Sequence, residues 1–211
     1  MLKTKVMALT GCLSILLVAA GGCKTKQQTG FLDLHTRILI HDSEKGAGKN
    51  VRLSVVDKRR NNILLKKDSS RKIKSGRALV NKDYHPSLKL DTELLTTATE
   101  AFQMQGYRTD GKGTGTFRDV TIYLTKLDLK LRRQKMTSGD LPQFQARLRA
   151  VMKVSATNRG MSYGQEYEFF IKKSYATPPG KLDQEKMLNY GLTQVLYQIQ
   201  QDPKLNQFLI G

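Results

Sequence analysis

Apolar positions in this chain alternate in some stretches and recur at helical spacing in others, and the two patterns divide it into elements. From Asn50 onward, Val51, Leu53 and Val55 alternate with Arg52 and Ser54, as in a strand with one buried face. Asp57-Lys58-Arg59-Arg60-Asn61-Asn62 closes that strand in a charged turn. Between about Asp91 and Gln105, Leu94, Leu95, Ala98, Ala101 and Phe102 share one helical face. Asp91 or Thr92 is the expected start cap of this helix, and Gly106 its C-terminal cap. Three strands follow. Val120, Ile122 and Leu124 occupy even positions, whereas Leu127, Leu129 and Leu131 occupy odd ones, so the phase slips near Thr125-Lys126 and predicts a bulge. Ala146, Leu148, Ala150, Met152, Val154 and Ala156 form the inner face of the next strand, with Arg147, Arg149 and Lys153 on its other face. Asn158-Arg159-Gly160-Met161 turns the chain into a third strand, where Tyr167, Phe169 and Ile171 point inward. That turn sets Met152 opposite Tyr167, Ala150 opposite Phe169, Leu148 opposite Ile171 and, on the outer face, Lys153 opposite Glu166.

Pro178-Pro179-Gly180 breaks the pattern, and Asp183 is read as the cap of a helix bearing Leu188, Gly191, Leu192, Val195, Leu196 and Ile199. Asp202-Pro203 stops this helix and starts a last turn with Leu205, Phe208 and Leu209. Elsewhere the signals are weaker. Lys24 to about Gly30 reads as a polar tether, Arg37 to His41 as a short strand, Asp42 to Gly48 as a loop, and residues 63–86 as irregular and basic. The element order β-α-β-β-β-α predicts an α+β fold. An antiparallel sheet of about four strands, with both helices on one face, buries both apolar stripes and leaves the other face basic and wet.

The first 22 residues stand apart. Lys3 and Lys5 precede an apolar run from Val6 to Ala20, then Gly21-Gly22 and Cys23. This is the layout of a secretory signal peptide, and the run is shorter than the roughly 20 residues needed to span a bilayer. Ala20-Gly21-Gly22-Cys23 resembles the lipobox of bacterial lipoproteins, although Ala20 stands where Leu is usual. The resemblance implies cleavage before Cys23, lipidation of its thiol and attachment to the membrane through acyl chains; two or three chains hold a protein durably. Lys24, in place of Asp, points to the outer membrane, at its periplasmic face. The expected organisation is a signal peptide at 1–22, a lipidated Cys23 with a tether at 23–49, and a single periplasmic domain at 50–211. Cys12 leaves with the leader, so no free thiol remains for disulfide, redox or nucleophilic chemistry.

Composition changes this picture in one respect. The 211 residues carry 36 Lys and Arg against 18 Asp and Glu, a net charge of +18. Half of the excess of residues 50–211 lies in each of two stretches, Asp57 to Arg77 and Lys126 to Arg159, both with nine basic and two acidic residues. Candidate contacts to an anionic surface are Lys58, Arg59, Arg60, Lys66, Lys67, Arg71, Lys72 and Lys74 in the first. In the second they are Arg132, Arg133, Arg147 and Arg149. Peptidoglycan, lipid head groups or another envelope protein would supply the opposite charge; the basic faces could equally serve solubility alone. Nucleic acid is not expected, because the outer faces show only Tyr123 and Phe170 beside the cations and the leader exports the chain.

Catalytic and cofactor signals are weak throughout. Gly106-Tyr107-Arg108-Thr109-Asp110-Gly111-Lys112 matches the start of a phosphate-binding loop, but Gly113 replaces the required Ser or Thr. The loop also follows a helix and opens a strand, the reverse of the order that aims helix N-terminal amides at phosphate. His35, His41 and His85 lack ligand spacing, so no metal or other cofactor is expected. G-x-S-x-G is absent. Asp57 and Asp68 sit among cations, and Asp57 reads as a turn-former binding backbone amides.

Several segments in one order resemble the YajG family of bacterial lipoproteins. They are the lipobox, Val55-Val56-Asp57-Lys58-Arg59, Gln105-Gly106-Tyr107, Val120 through Asp128, the C-terminal helix, and Asp202 through Leu209. Arg60 and Leu64-Leu65 depart from relatives that often carry Pro and Gly there. The resemblance implies an α+β periplasmic domain on a lipid anchor and brings no reaction or catalytic residue. The expected function is therefore a non-enzymatic envelope protein that binds or assembles with another envelope component. An accessory envelope hydrolase with a site near residues 57–86 is the alternative.

Overall fold

The computed structural model describes residues 28–39, 42–60, 82–86, 89–111, 115–133 and 143–211. Its strands are β1 (Gln28–Leu32), β2 (Val51–Asp57), β3 (Lys82–Pro86), β4 (Arg118–Arg133), β5 (Phe144–Asn158) and β6 (Met161–Tyr175). Its helices are α1 (Leu90–Met104), α2 (Lys181–Gln201) and α3 (Pro203–Ile210). The main sheet has the order β2-β4-β5-β6, and α1 and α2 pack on its apolar face. The α+β class and the four-stranded sheet are as the patterning predicts.

One pairing differs from the wholly antiparallel sheet expected. β2 runs parallel to β4, Val51 opposite Arg118 through Asp57 opposite Leu124. A parallel pair requires a crossover connection, and α1 lies in the chain between these two strands. Alternation reports which face is buried and is silent on strand direction.

β4 and β5 pair over almost their whole length, with a register shift between Leu124 and Lys126 where the apolar phase slips. Thr125 Oγ1 donates to the Val151 carbonyl at 3.2 Å, so the bulge residue bridges the two strands with its side chain. The β5–β6 hairpin has the expected register, including Met152 opposite Tyr167 and Lys153 opposite Glu166. Arg159 (φ 49°) and Gly160 (φ 81°) form its two-residue turn, whose twist matches that of the strands.

The N-terminal portion departs most from expectation. Gln28–Leu32, within and just beyond the expected tether, is a strand paired in parallel with β3, inside the stretch expected to be irregular. Residues 37–39 of the expected Arg37–His41 strand are irregular, and 40–41 lie outside the described residues. Residues 33–37 instead lie along α2. The N–H groups of Asp33, His35 and Arg37 donate to Glu185, Asn189 and Thr193, at 2.7, 3.0 and 3.0 Å. Acceptors one turn apart on the helix thus meet every second amide of an extended chain, whose repeat is of similar length. Leu32 and Leu34 are buried in the core alongside.

The helix caps also refine the sequence reading. α1 begins at buried Leu90, one residue earlier than expected, and Lys89 caps it without a side-chain bond. Its end is a Schellman motif: Gly106 (φ 84°) N–H donates to Gln103 O at 2.8 Å, and Tyr107 N–H to Phe102 O at 3.1 Å. The Phe102 and Tyr107 rings pack 5.4 Å apart across it. The predicted 42–48 loop takes up further orphan carbonyls, with Ser43, Gly46 and Gly48 N–H donating to Met104, Gln105 and Gly106 O. Asp183 stabilises the α2 start from the third helical position, accepting from Gly180 N–H at 3.1 Å, rather than as the cap residue itself. The last turn after Pro203 is a full helix of eight residues, α3, capped by Asp202.

A β-carbon on Gly46 would lie 2.5 Å from Tyr107 N and 2.7 Å from Gly106 C, both backbone atoms that cannot step aside. Gly46→Ala is expected to unseat the 42–48 loop and lower the unfolding free energy by roughly 1–3 kcal/mol, readable by urea denaturation. Stability equal to the parent chain would show that the loop does not seal this helix end.

Candidate anionic-contact surface

The bulge at Thr125 determines what the outer sheet face presents. Beyond it, Leu127 and Leu129 turn into the core, and Lys126, Asp128, Lys130 and Arg132 turn outward. Lys130 then stands opposite Arg147, and Arg147 opposite Lys172, so three cations form one row across β4, β5 and β6. Like charges directly opposed disfavour their pairing by up to roughly 1 kcal/mol. Arg132 extends the cluster toward the end of β4, whereas Arg133, odd-numbered like Leu131 and paired with Phe144, belongs to the other face; both are exposed. Lys130 meets Asp128 at 3.0 Å, and Arg147 Nε donates to the neutral Gln145 side chain. Among the described residues no ion pair joins Arg132, Arg133, Arg147 or Lys172 to a carboxylate. Phe170, 56% exposed, stands beside the row, opposite Arg149.

The other candidate contacts divide sharply. Arg59 is turned inward and held by Asp57, with Nε at 2.9 Å from Oδ1 and Nη2 at 2.6 Å from Oδ2. Asp57 also accepts from Arg59 N–H at 3.1 Å, so it binds a backbone amide as the sequence suggests and a buried guanidinium besides. Arg149 is engaged by Glu168 through two bonds of 2.6 and 2.7 Å. Those bonds hold the Glu168 carboxyl below its ordinary range and raise Arg149 further. Lys58 lies 3.8 Å over the Tyr123 ring, and Arg60 is exposed. Lys66, Lys67, Arg71, Lys72 and Lys74 lie outside the described residues, as do Cys23, His41 and Asp68. Lys130 and Lys172 were not singled out from sequence as contacts. Strand parity through the bulge and the hairpin register could have found both.

A second polar cluster ties the C-terminus to β6. Tyr163 and Tyr167 hydroxyls each donate to Asp202 Oδ2 at 2.6 Å, while Oδ1 accepts from Lys204 and Leu205 N–H at the start of α3. Burial by itself pushes the Asp202 carboxyl up, but these hydrogen bonds outweigh it and hold it below its ordinary value. Burial raises both tyrosines, reinforced by Asp202. Beside them Met161, Tyr163, Lys204, Gln207 and Phe208 line an open groove of about 380 Å³. His35, near the α1–α2 seam, is raised chiefly by its hydrogen bond to Asp33. No group of three or more metal-ligating side chains occurs among the described residues, and no helix there is long and apolar enough to cross a membrane.

A family described as an uncharacterized lipoprotein matches residues 39–210. The chain belongs to that family. This agrees with the YajG resemblance read from the co-linear segments and makes this a lipoprotein-family domain of the envelope class. Among solved structures, the family member is similar to a Xanthomonas campestris protein of the DUF330 family at 11% identity and TM-score 0.47, covering 81% of this chain and 91% of that one. It is similar at 10% identity and TM-score 0.45 to a Helicobacter pylori protein described as a neuraminyllactose-binding hemagglutinin homolog, covering 85% and 97%. A third, described as an uncharacterized protein, has 11% identity, TM-score 0.42 and coverage of 82% and 97%. No curated protein matches.

Because Asp202 is depressed in the folded state, its contribution is fully present above the unfolded carboxylate value of about 4 and is lost as pH falls through the folded one. Asp202→Asn is expected to lower the denaturation midpoint at pH 7 and to narrow its difference from the parent chain as the buffer is acidified. The raised tyrosines act oppositely, their contribution fading as pH climbs past about 10. A constant difference between the two proteins from pH 7 to pH 3 would contradict the linkage.

Proposed function

We propose that this family member is a non-enzymatic module, anchored by acyl chains on Cys23 to the periplasmic face of the outer membrane, that docks on an anionic envelope component. The observation that supports the docking surface is the Lys130–Arg147–Lys172 row. Folding sets these cations side by side at a cost, and an anion of high charge density would relieve it. Peptidoglycan carboxylates and the phosphates of lipid head groups share that chemistry. Phe170 adds an apolar contact at the edge of the cluster. The hydrolase alternative draws no support from Asp57, whose two oxygens are taken by Arg59.

Each basic side chain near an anionic surface is worth about 1 kcal/mol. Joint replacement of Lys130, Arg147 and Lys172 by Gln is therefore expected to weaken binding roughly a hundredfold. The protein from residue 24 onward is to be co-sedimented with purified peptidoglycan and, separately, with vesicles rich in anionic lipid. The parent chain should bind at least one of them at low ionic strength and release it as salt is raised. Binding that ignores both salt and the three substitutions would refute the reading.

The anchor has its own test. Cys23→Ser should abolish incorporation of labelled palmitate and shift the protein from the membrane fraction. Persistence of label would dismiss Cys23 as the lipid site.

A further inference from the structure

β6 is a fifteen-residue strand at the edge of the main sheet. Its hairpin closes through the Asn158–Met161 pair, so the odd-numbered residues exchange N–H and C=O bonds with β5. The even-numbered residues, 162 to 174, direct theirs away from the sheet. Among the described residues no strand takes these groups up. An edge this long is a template for strand addition, and its side chains carry a pattern. On the outer face the even positions read Glu166, Glu168, Phe170, Lys172, with acid before base about a centre.

We propose that this edge pairs with the same edge of a second copy, antiparallel about a two-fold axis at Phe169, joining the two sheets into one of eight strands. The pairing is isologous, as a two-fold requires. Glu166 of each copy then faces Lys172 of the other, twice over. Neither side chain has an ion pair within its own chain among the described residues. The neighbouring registers are poorer. A centre at Glu168 opposes two identical carboxylates, and a centre at Phe170 relies on Glu168, which Arg149 already holds. On the inner face Tyr167 meets Ile171, and Phe169 meets its own counterpart, extending the aromatic layer in which Phe169 packs edge-on to Tyr190 at 5.5 Å. A two-fold perpendicular to the sheet keeps both outer faces on one side. With Lys172 engaged by Glu166 of the other copy, Lys130, Arg132 and Arg147 of both copies would then address one surface, a bivalent contact whose avidity exceeds that of either cluster.

Cysteine crosslinking of the full chain in cells reads the register directly. At the two-fold the paired residues are not hydrogen-bonded to each other and their Cα atoms lie about 4.5 Å apart, within disulfide reach. Phe169→Cys should give an oxidant-dependent, reductant-reversible dimer, whereas the unsubstituted chain and Phe170→Cys should give little. In parallel, light scattering on the detergent-solubilised full chain should show a dimer that Glu166→Lys weakens at least tenfold. Adding Lys172→Glu to Glu166→Lys should restore it. Both charge changes lie on the solvated face, and circular dichroism checks that the fold persists. Crosslinking through position 170 in preference to 169 would overturn the register. A monomer at every concentration, or a dimer indifferent to Glu166→Lys, would overturn the proposal.

Discussion

The extra residue at Thr125 is the constraint on which the sheet depends. β4 is sixteen residues long, and its apolar positions change parity half-way. A strand paired without interruption would send either Val120, Ile122 and Leu124 or Leu127, Leu129 and Leu131 to solvent, since a one-residue slip inverts every side chain. The bulge lets both halves face the same core. It also delivers Lys126, Lys130 and Arg132 to the outer face in line with the cations of β5. Core and candidate contact surface are two consequences of one backbone irregularity, which the Thr125 hydroxyl seals against the Val151 carbonyl.

Around that sheet the joints between elements are polar, while the layers are apolar. Asp202 ends α2, caps α3 and receives two hydroxyls from β6, so one carboxylate fastens three elements. Gln105 donates to the Gln200 carbonyl at 2.8 Å, and Tyr107 to Asn206 at 3.0 Å, linking the end of α1 to the end of α2 and to α3. Burial of Tyr107 pushes its hydroxyl up to about 12, which keeps it a donor at any ordinary pH. Close contact does the rest: a β-carbon on Gly191 would overlap Leu148, so the absence of a side chain lets α2 approach β5. Buried hydrogen bonds of this kind specify one arrangement of helices on the sheet, where apolar contact alone would tolerate several.

The outer face follows a different logic. Two arginines make close, two-nitrogen contacts to carboxylates, Arg59 with Asp57 and Arg149 with Glu168. Toward the far end of β4 and β6, cations outnumber carboxylates and stand opposite one another. An exposed lysine is ordinary, but like charges enforced by register are not, because strand pairing leaves their side chains little room to diverge. The unpaired edge of β6 adjoins this same region. Charge and edge together give this side of the molecule two means of association, one electrostatic and one through the backbone.

Much of this was legible from residues alone. Parity located the bulge and the inner faces, the Asn158–Met161 turn set the hairpin register, and Gly106 marked the end of α1, because each is a local property of backbone geometry. Asp57 was readable as a turn-former; its buried Arg59 partner was not, since burial depends on what packs above. The direction of β2 was hidden because alternation is the same in parallel and antiparallel strands. β1, β3 and the 33–37 segment were missed because their amides are satisfied by residues more than fifty positions away, on β3 and on α2, and nothing in their own sequence reports it. The charge excess was visible as two stretches, yet whether a given cation was free or bound, as Arg132 and Arg149 differ, was settled only when strand pairing chose its neighbours. Local periodicity and turn chemistry therefore belong to the sequence by itself, whereas strand direction, long-range hydrogen bonding and the company each charge keeps arise only where distant segments meet.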